Sequence, residues 1–121
     1  MQILFPGDIE KAAWEAHLRN QAFVNELLTT TVLVASHHGR ENGFSEEAFR
    51  ILRPQVTVIS DKSIVHGTQE MVPDYRNIAR GDGILVTNET DRRRVLTTRR
   101  DGDMLFNVEA NGDFRVTTRV R

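Results

Sequence analysis

The sequence contains no cysteine. Disulfides and thiolate-bound metal ions are therefore excluded, and any metal ion must be held by histidine, aspartate or glutamate. No apolar stretch approaches the length that crosses a membrane, and the apolar run in MQILFPGD is too short for a signal peptide. An excess of charge is also missing, because the formal net charge is −1, which argues against a purely electrostatic binder of nucleic acid. These absences predict a cytoplasmic protein without a membrane segment.

What is present is the composition of an ordinary globular domain. Hydrophobic residues make up 39% and charged residues 27% of the 121 positions. A chain of this length can bury a real core, so we expect a single domain over residues 1–121.

The first half of the chain alternates strand-like and helix-like segments. Apolar runs that predict strands cover residues 2–5, 32–35 and 55–60. Between the first two runs, apolar residues recur at steps of three and four, which predicts one amphipathic helix over about residues 9–28. Ser45 is a suitable N-cap for a second helix, EEAFRILR, which Pro54 ends. The order β-α-β-α-β favours a parallel or mixed sheet.

The second half of the chain has a different pattern, in which strand-like segments predominate. A short helix is predicted over residues 73–80 and a strand over residues 84–87. The runs VLTTRR, MLFNVE and FRVTTRV are then separated by Asp101-Gly102 and Asn111-Gly112, which are both strong hairpin-turn signals. We therefore expect the chain to end in a three-stranded antiparallel meander.

Polar side chains follow each strand of the first half. Asp8 follows the first strand, His37 and His38 in TVLVASHHG follow the second, and His66 lies in the loop after the third. In a parallel sheet these loops meet at one edge, where ligands bind. The separate residues also have ordinary explanations, since Asp8 could cap a helix and the histidines could bond to backbone. Together they predict a metal-ligating site, whereas His17 is expected to be exposed on a helix.

The order of these motifs resembles a known family. FPGDIEKAAWEAHL and VLVASHHGRENGFSEEAFRILRPQVTVIS are similar to the C-terminal half of metallo-β-lactamase-fold hydrolases, and most of all to their ComEC-like branch. That branch has a GD segment before a helix, a strand ending in HHGS, a helix with a phenylalanine, a proline, and a V-I-S strand. The corresponding stretches here are residues 6–10, 34–39, 44–54 and 56–60, and TTRRDGD is similar to the family's end.

The resemblance implies one half of an αββα sandwich and assigns roles to the site residues. Asp8 matches the aspartate that bridges two metal ions, zinc or manganese, and His38 would be a further metal ligand. Asp8, His37 and His66 would be the catalytic residues, with the two histidines lining the substrate pocket. The metal ions would activate a water molecule for attack on an ester, a phosphodiester or a similar substrate.

The other half of the family's site is missing. The four histidines stand at positions 17, 37, 38 and 66, so the chain has no HxHxDH motif. Three explanations stay open: a fragment of a longer protein, a chain completed by a partner, or a non-catalytic descendant that serves as an oligomerisation or interaction domain. In each case we expect weak or absent hydrolysis from the isolated chain. An uncovered sheet face also predicts a homodimer or higher oligomer.

An arginine cluster lies near the predicted meander, at positions 92, 93, 94, 99 and 100. Acidic residues are interspersed with it, as expected of a solvated strand face. The alternative is an edge that contacts phosphates, which would suit a nucleic acid or another phosphodiester substrate. No aromatic residue is interleaved, so stacking on single strands is not indicated.

Overall fold

The computed structural model of the chain describes residues 1–61 and 70–119. Its strands are β1 (Ile3–Leu4), β2 (Val32–Val34), β3 (Val56–Ile59), β4 (Ile84–Leu85), β5 (Arg92–Arg93), β6 (Val95–Thr97), β7 (Asp103–Val108) and β8 (Phe114–Arg119). Its helices are α1 (Lys11–His17), α2 (Gln21–Leu28), α3 (Glu46–Ile51), α4 (Val72–Asn77) and α5 (Thr98–Asp101). A left-handed turn, Ser36–Gly39, and a short 3-10 turn, Glu41–Gly43, follow β2.

A four-stranded parallel sheet with the order β1-β2-β3-β6 forms the centre of the fold. Val32 lies opposite both Ile3 of β1 and Val56 of β3, and Thr57 lies opposite Val95 of β6. These β-branched side chains suit a sheet that is covered on both faces. The predicted β-α-β-α-β order and the mixed α/β class are therefore confirmed.

Two apolar layers cover the sheet. On one face the helices bury a cluster that contains Trp14, Leu27, Leu33, Phe49, Leu52, Ile59 and Tyr75. On the other face β4 and the β7–β8 hairpin bury a second cluster that contains Val32, Val56, Ile84, Val86, Leu96 and Val116. Val32 and Leu33, which are consecutive residues of β2, belong to different clusters, as the period of a strand requires. In the part of the chain that the structure describes, no helix is long and apolar enough to cross a membrane.

The prediction of one long helix over residues 9–28 is wrong. The segment forms α1 and α2, separated by residues 18–20. Asn20 is extended (φ −97°, ψ 113°) and its side chain accepts a hydrogen bond from the Ala22 N–H, so it begins a new helix. The apolar period continued across this break because both helices pack on the same core. The Ser45 cap of α3 is confirmed, since its hydroxyl accepts from the Ala48 N–H at 3.2 Å.

The three-stranded meander is also wrong in its first strand. Residues 95–97 pair in parallel with β3 inside the main sheet, and the TRRD segment that follows forms α5. The Asp101 carboxylate accepts hydrogen bonds from the Thr97 N–H at 2.9 Å and from Arg93, so Asp101 is held inside the protein and not at a hairpin tip. The second hairpin, with Asn111-Gly112 at its turn, is confirmed as β7–β8.

Candidate functional site

The candidate site lies at the C-terminal edge of the parallel sheet. Asp8 follows β1, His37 and His38 follow β2, and Asp61 follows β3, three strands that are neighbours in the sheet. We call this set of four residues the rim. Because carboxyl ends of parallel strands carry the ligand sites of open α/β sheets, the rim occupies the expected position for chemistry.

The backbone of the two histidines is unusual. His37 (φ 52°, ψ 46°) and His38 (φ 53°, ψ 31°) both adopt the left-handed conformation, as does Gly39. For a residue with a side chain this costs about 1–2 kcal/mol. The surroundings hold the turn in place, since the His37 N–H donates to the Gly7 oxygen at 3.0 Å and Ser36 Oγ donates to the Ile9 oxygen. Two adjacent strained histidines at a strand end indicate a functional turn more than a random loop.

Gly39 completes this turn for a steric reason. Its φ is +75°, and a Cβ built on it would lie 2.7 Å from Cγ2 of Ile59. A side chain at this position would therefore be strained by the positive φ and would press against the Ile59 side chain of β3.

Hydrogen bonds fix which nitrogen of His38 carries a proton. Its Nδ1 lies 2.8 Å from the Ser60 carbonyl oxygen, which can only accept, so Nδ1 must be the donor. In the neutral ring this leaves Nε2 with a free lone pair. Because His38 is exposed, that lone pair is accessible to a ligand.

The same reasoning applies to His37 through a longer chain of contacts. Its Nδ1 lies 2.7 Å from Oδ1 of Asn42, and Nδ2 of Asn42 donates to Oε1 of Glu10 at 2.8 Å. The Glu10 carboxylate only accepts, so it orients the Asn42 amide with the oxygen towards the histidine. His37 therefore also donates from Nδ1, and its neutral ring has a free Nε2.

Asp8 is not a helix cap. The N-cap of α1 is Glu10, whose side chain makes no capping hydrogen bond. Asp8 is exposed, and within residues 1–61 and 70–119 its carboxylate has no hydrogen bond or ion pair. The ordinary structural explanation for this aspartate is thus removed, and its loop is tied to the histidines through the bond between Gly7 and His37.

Asp61 is a rim residue that the sequence analysis missed. Its side chain is only 3% exposed, and Oδ2 accepts from Nη1 of Arg99 at 2.7 Å. Oδ1 is buried and has no hydrogen-bond partner in the described part of the chain. Burial raises the pKa of this carboxyl, against the opposing effects of Arg99 and, more weakly, of His38. Its position directly after a strand was the signal that could have identified it.

Some of the predicted site residues come together and others do not. The Asp8 loop contacts the histidine turn, and His38 contacts the end of β3. His66 lies outside the described residues. His17 is exposed at the end of α1, where its ring lies 5.1 Å from that of Phe23, as expected for a residue outside the site.

The rim does not form a complete metal cage. Among the residues that the structure describes, no group of three or more His, Cys, Asp or Glu side chains could hold a metal ion. Its donor set, neutral imidazole and free carboxylate, nevertheless suits zinc or manganese as part of a larger ligand set. Comparison of the chain with protein-family models, with curated proteins and with solved structures finds no match.

Proposed function

We propose that this chain is the C-terminal half of a metal-dependent hydrolase of the metallo-β-lactamase type, in which Asp8 and His38 bind zinc or manganese. The single observation that carries the proposal is the hydrogen bond from His38 Nδ1 to the Ser60 carbonyl. Metal-bound histidines almost always donate their second ring N–H to such an acceptor, which fixes the tautomer and orients the ligating nitrogen. The fold of the chain alone gives His38 this arrangement.

The other rim residues have distinct roles in this proposal. Asp8 would provide an exposed carboxylate for the metal ions, and His37 presents a second oriented Nε2 in the adjoining turn, whose backbone bonds to Gly7. A bound metal pair would supply an activated water molecule for attack on an ester or phosphodiester. The assignment of His66 to the substrate pocket stays a prediction.

The proposal requires ligands from elsewhere. The rim by itself has too few close donors in the described residues, and the sequence has no HxHxDH motif. A segment that carries this motif, in the same polypeptide or in a partner, would complete the two-metal centre. We therefore expect weak or absent hydrolysis from the isolated chain.

The test is a zinc titration of the isolated chain followed by long-range ¹H–¹⁵N spectra of its histidines. Before zinc is added, the spectra should show His37 and His38 protonated on Nδ1. During the titration the Nε2 signal of His38 should shift, and that of His17 should not. His38→Asn tolerates the left-handed backbone but lacks the imidazole, so it should weaken binding by more than about tenfold, as should Asp8→Asn.

His17→Gln serves as the matched control, because it removes an exposed imidazole outside the rim. Equal shifts at His17 and His38 would contradict the proposal, because they describe nonspecific binding. A proton on Nε2 of His38 in the free protein would contradict it as well.

A second candidate function is a non-catalytic interaction domain that retains this half-fold. A specific observation favours it: Phe5 is 72% exposed beside an apolar groove of about 460 Å³ between the sheet and β7. The groove is lined mainly by Ile3, Val34, Val58, Met104 and Phe106. Stoichiometric metal that is lost in Asp8→Asn supports the hydrolase, whereas full stability without metal at neutral pH supports the interaction domain.

A further inference from the structure

Six arginines line a cleft of about 390 Å³ that borders the rim at Asp61. The cleft opens between α4, β5, β6 and α5. We call it the arginine cleft; its arginines are Arg76, Arg92, Arg93, Arg94, Arg99 and Arg100. The chain as a whole has a net charge of −1. Four carboxylates pair with three of the six arginines, so the cleft keeps a local excess of about two positive charges.

Three of these arginines are held in place by carboxylates behind them. Arg93 contacts Asp101 at 2.9 Å and Glu89 at 3.1 Å, and it is 16% exposed. Arg94 contacts Asp82 at 3.3 Å, and Arg99 contacts Asp61 at 2.7 Å. These pairs restrict the movement of the guanidinium groups. Both terminal nitrogens of Arg93 are used by Glu89, Asp101 and the Val95 oxygen. In the described residues Nη1 of Arg94 and Nη2 of Arg99 make no hydrogen bond, so they are available to a ligand.

The other three arginines have no such partner. Within the described ranges Arg76, Arg92 and Arg100 form no ion pair, although Arg92 donates to the Gly83 oxygen at 3.0 Å. No described carboxylate lines the cleft itself. Like charges that are gathered around one concave space repel each other, and a bound anion would relieve that repulsion.

We propose that the arginine cleft is a binding site for phosphate groups. Guanidinium matches phosphate oxygens with paired, charge-assisted hydrogen bonds, and several guanidiniums around one cleft favour a multiply charged anion. The volume is that of a small-ligand site. No aromatic side chain is among the described residues that line it, so the ligand is recognised through its phosphates and not through stacked bases.

This site is separate from the metal chemistry proposed above and does not depend on it. The two regions meet at Asp61, whose carboxylate pairs with Arg99 of the cleft while its backbone neighbour Ser60 bonds to His38. A phosphate group that contacts Arg99 would therefore lie near one residue of the rim.

The experiment measures the binding of two probes by calorimetry in the presence of EDTA, so that the result is independent of any metal ion. The probes are inorganic pyrophosphate and a short single-stranded oligonucleotide. The test variant is Arg76→Gln with Arg100→Gln, and the control is Arg19→Gln with Arg50→Gln. Both doubles remove two positive charges from exposed positions, and both should melt as the parent protein does.

The test variant should bind the probe about tenfold or more weakly than the control, and added salt should weaken binding to the parent protein. Pyrophosphate binding that depends on the two arginines identifies a small phosphate ligand as the source. Binding of the oligonucleotide alone, with the same dependence, identifies a polymer backbone as the source of the phosphates. Absence of binding to both probes, or equal affinities of the two double variants, would overturn the proposal.

Discussion

At the scale of a single residue, Tyr75 combines favourable aromatic packing with an unsatisfied hydrogen-bonding group. The side chain is fully buried, with its ring 5.1 Å from that of Phe44 and 5.8 Å from that of Phe49. Its hydroxyl is buried without a hydrogen-bond partner in the described residues, and burial raises its pKa well above the usual value. The ring therefore stabilises the fold while the oxygen opposes it.

Tyr75→Phe should raise the free energy of unfolding by about 1 kcal/mol, because it removes an unsatisfied buried oxygen and keeps the ring. Urea denaturation of the two proteins measures the difference. Tyr75→Leu is the control for packing and should lower the same quantity by roughly 2 kcal/mol, since it removes the aromatic contacts. A destabilised Tyr75→Phe protein would mean that the hydroxyl has a partner.

The buried carboxyl group of Asp61 should make the free energy of unfolding depend on pH. Burial raises the pKa of its carboxyl above the ordinary value of 3.8, so the folded state binds this proton more tightly than the unfolded state does. Its contribution to the free energy of unfolding therefore falls as the pH rises from the ordinary value through the raised one. Asp61→Asn lacks this titration, and its amide oxygen can still accept from Arg99.

The stability of Asp61→Asn relative to the parent protein should accordingly increase between about pH 3 and about pH 7. Urea denaturation at several pH values, with both proteins in the same buffers, gives the difference directly. A difference that decreases over this range would show that the ion pair with Arg99 outweighs burial.

At the scale of elements, α5 is the feature that separates the main sheet from the hairpin. Asp101 ends this helix and is 7% exposed, and its carboxylate binds both the Thr97 N–H and the Arg93 guanidinium. A buried charge pair that loses one member leaves the other charge without its partner. The position of α5 therefore depends on Asp101.

Asp101→Ala should lower the free energy of unfolding by about 3 kcal/mol, because Arg93 keeps only its more exposed partner, Glu89. Glu89→Ala is the matched comparison and should lower it by no more than about 1 kcal/mol, since that pair is closer to solvent. Thermal or urea unfolding of both variants tests the order of the two effects. Equal losses would show that Asp101 has no special role.

Local sequence signals predicted those elements that local contacts determine. The three strands before residue 60, the Ser45 cap and the Asn111-Gly112 turn follow from periodicity, capping and turn chemistry. Asn20 is the one polar residue that interrupts the apolar stripe, and the break was missed because a single polar residue in such a stripe does not by itself distinguish a helix cap from an exposed position of one long helix. The parallel pairing of β6 was missed because it joins Thr57 to Val95 and because Asp101-Gly102 matches a hairpin signal.

The rim was predicted to a similar extent. The rule that ligands follow parallel strands selected Asp8, His37 and His38, and these residues do lie at that edge. The same rule would have selected Asp61. The ring orientations could not be predicted, since they depend on Ser60, Asn42 and Glu10, which contact the histidines only after folding.

At the scale of the whole molecule, the apolar groove beside β7 predicts self-association. Phe5 lines this groove and is 72% exposed. Removing such surface from water favours contact with a second copy of the chain. We therefore expect a homodimer or a higher oligomer of the isolated chain.

Size-exclusion chromatography with light scattering should show this oligomer, and Phe5→Gln should shift the population towards monomer because Phe5 borders the groove. Leu28→Gln is the matched control, since Leu28 is 57% exposed but belongs to α2 on the opposite face of the sheet. A clean monomer of the parent protein at high concentration would contradict the prediction.

The left-handed turn at His37 and His38 has a consequence for directed evolution. Glycine adopts this conformation without a steric penalty and asparagine at a small one, whereas histidine is strained there, although less than most residues with a side chain. A library that is selected only for thermal stability should therefore accumulate glycine or asparagine at both positions. The selected variants would lose both imidazole side chains as their stability increased. Retention of both histidines under such selection would instead mean that their hydrogen bonds more than compensate for the backbone strain.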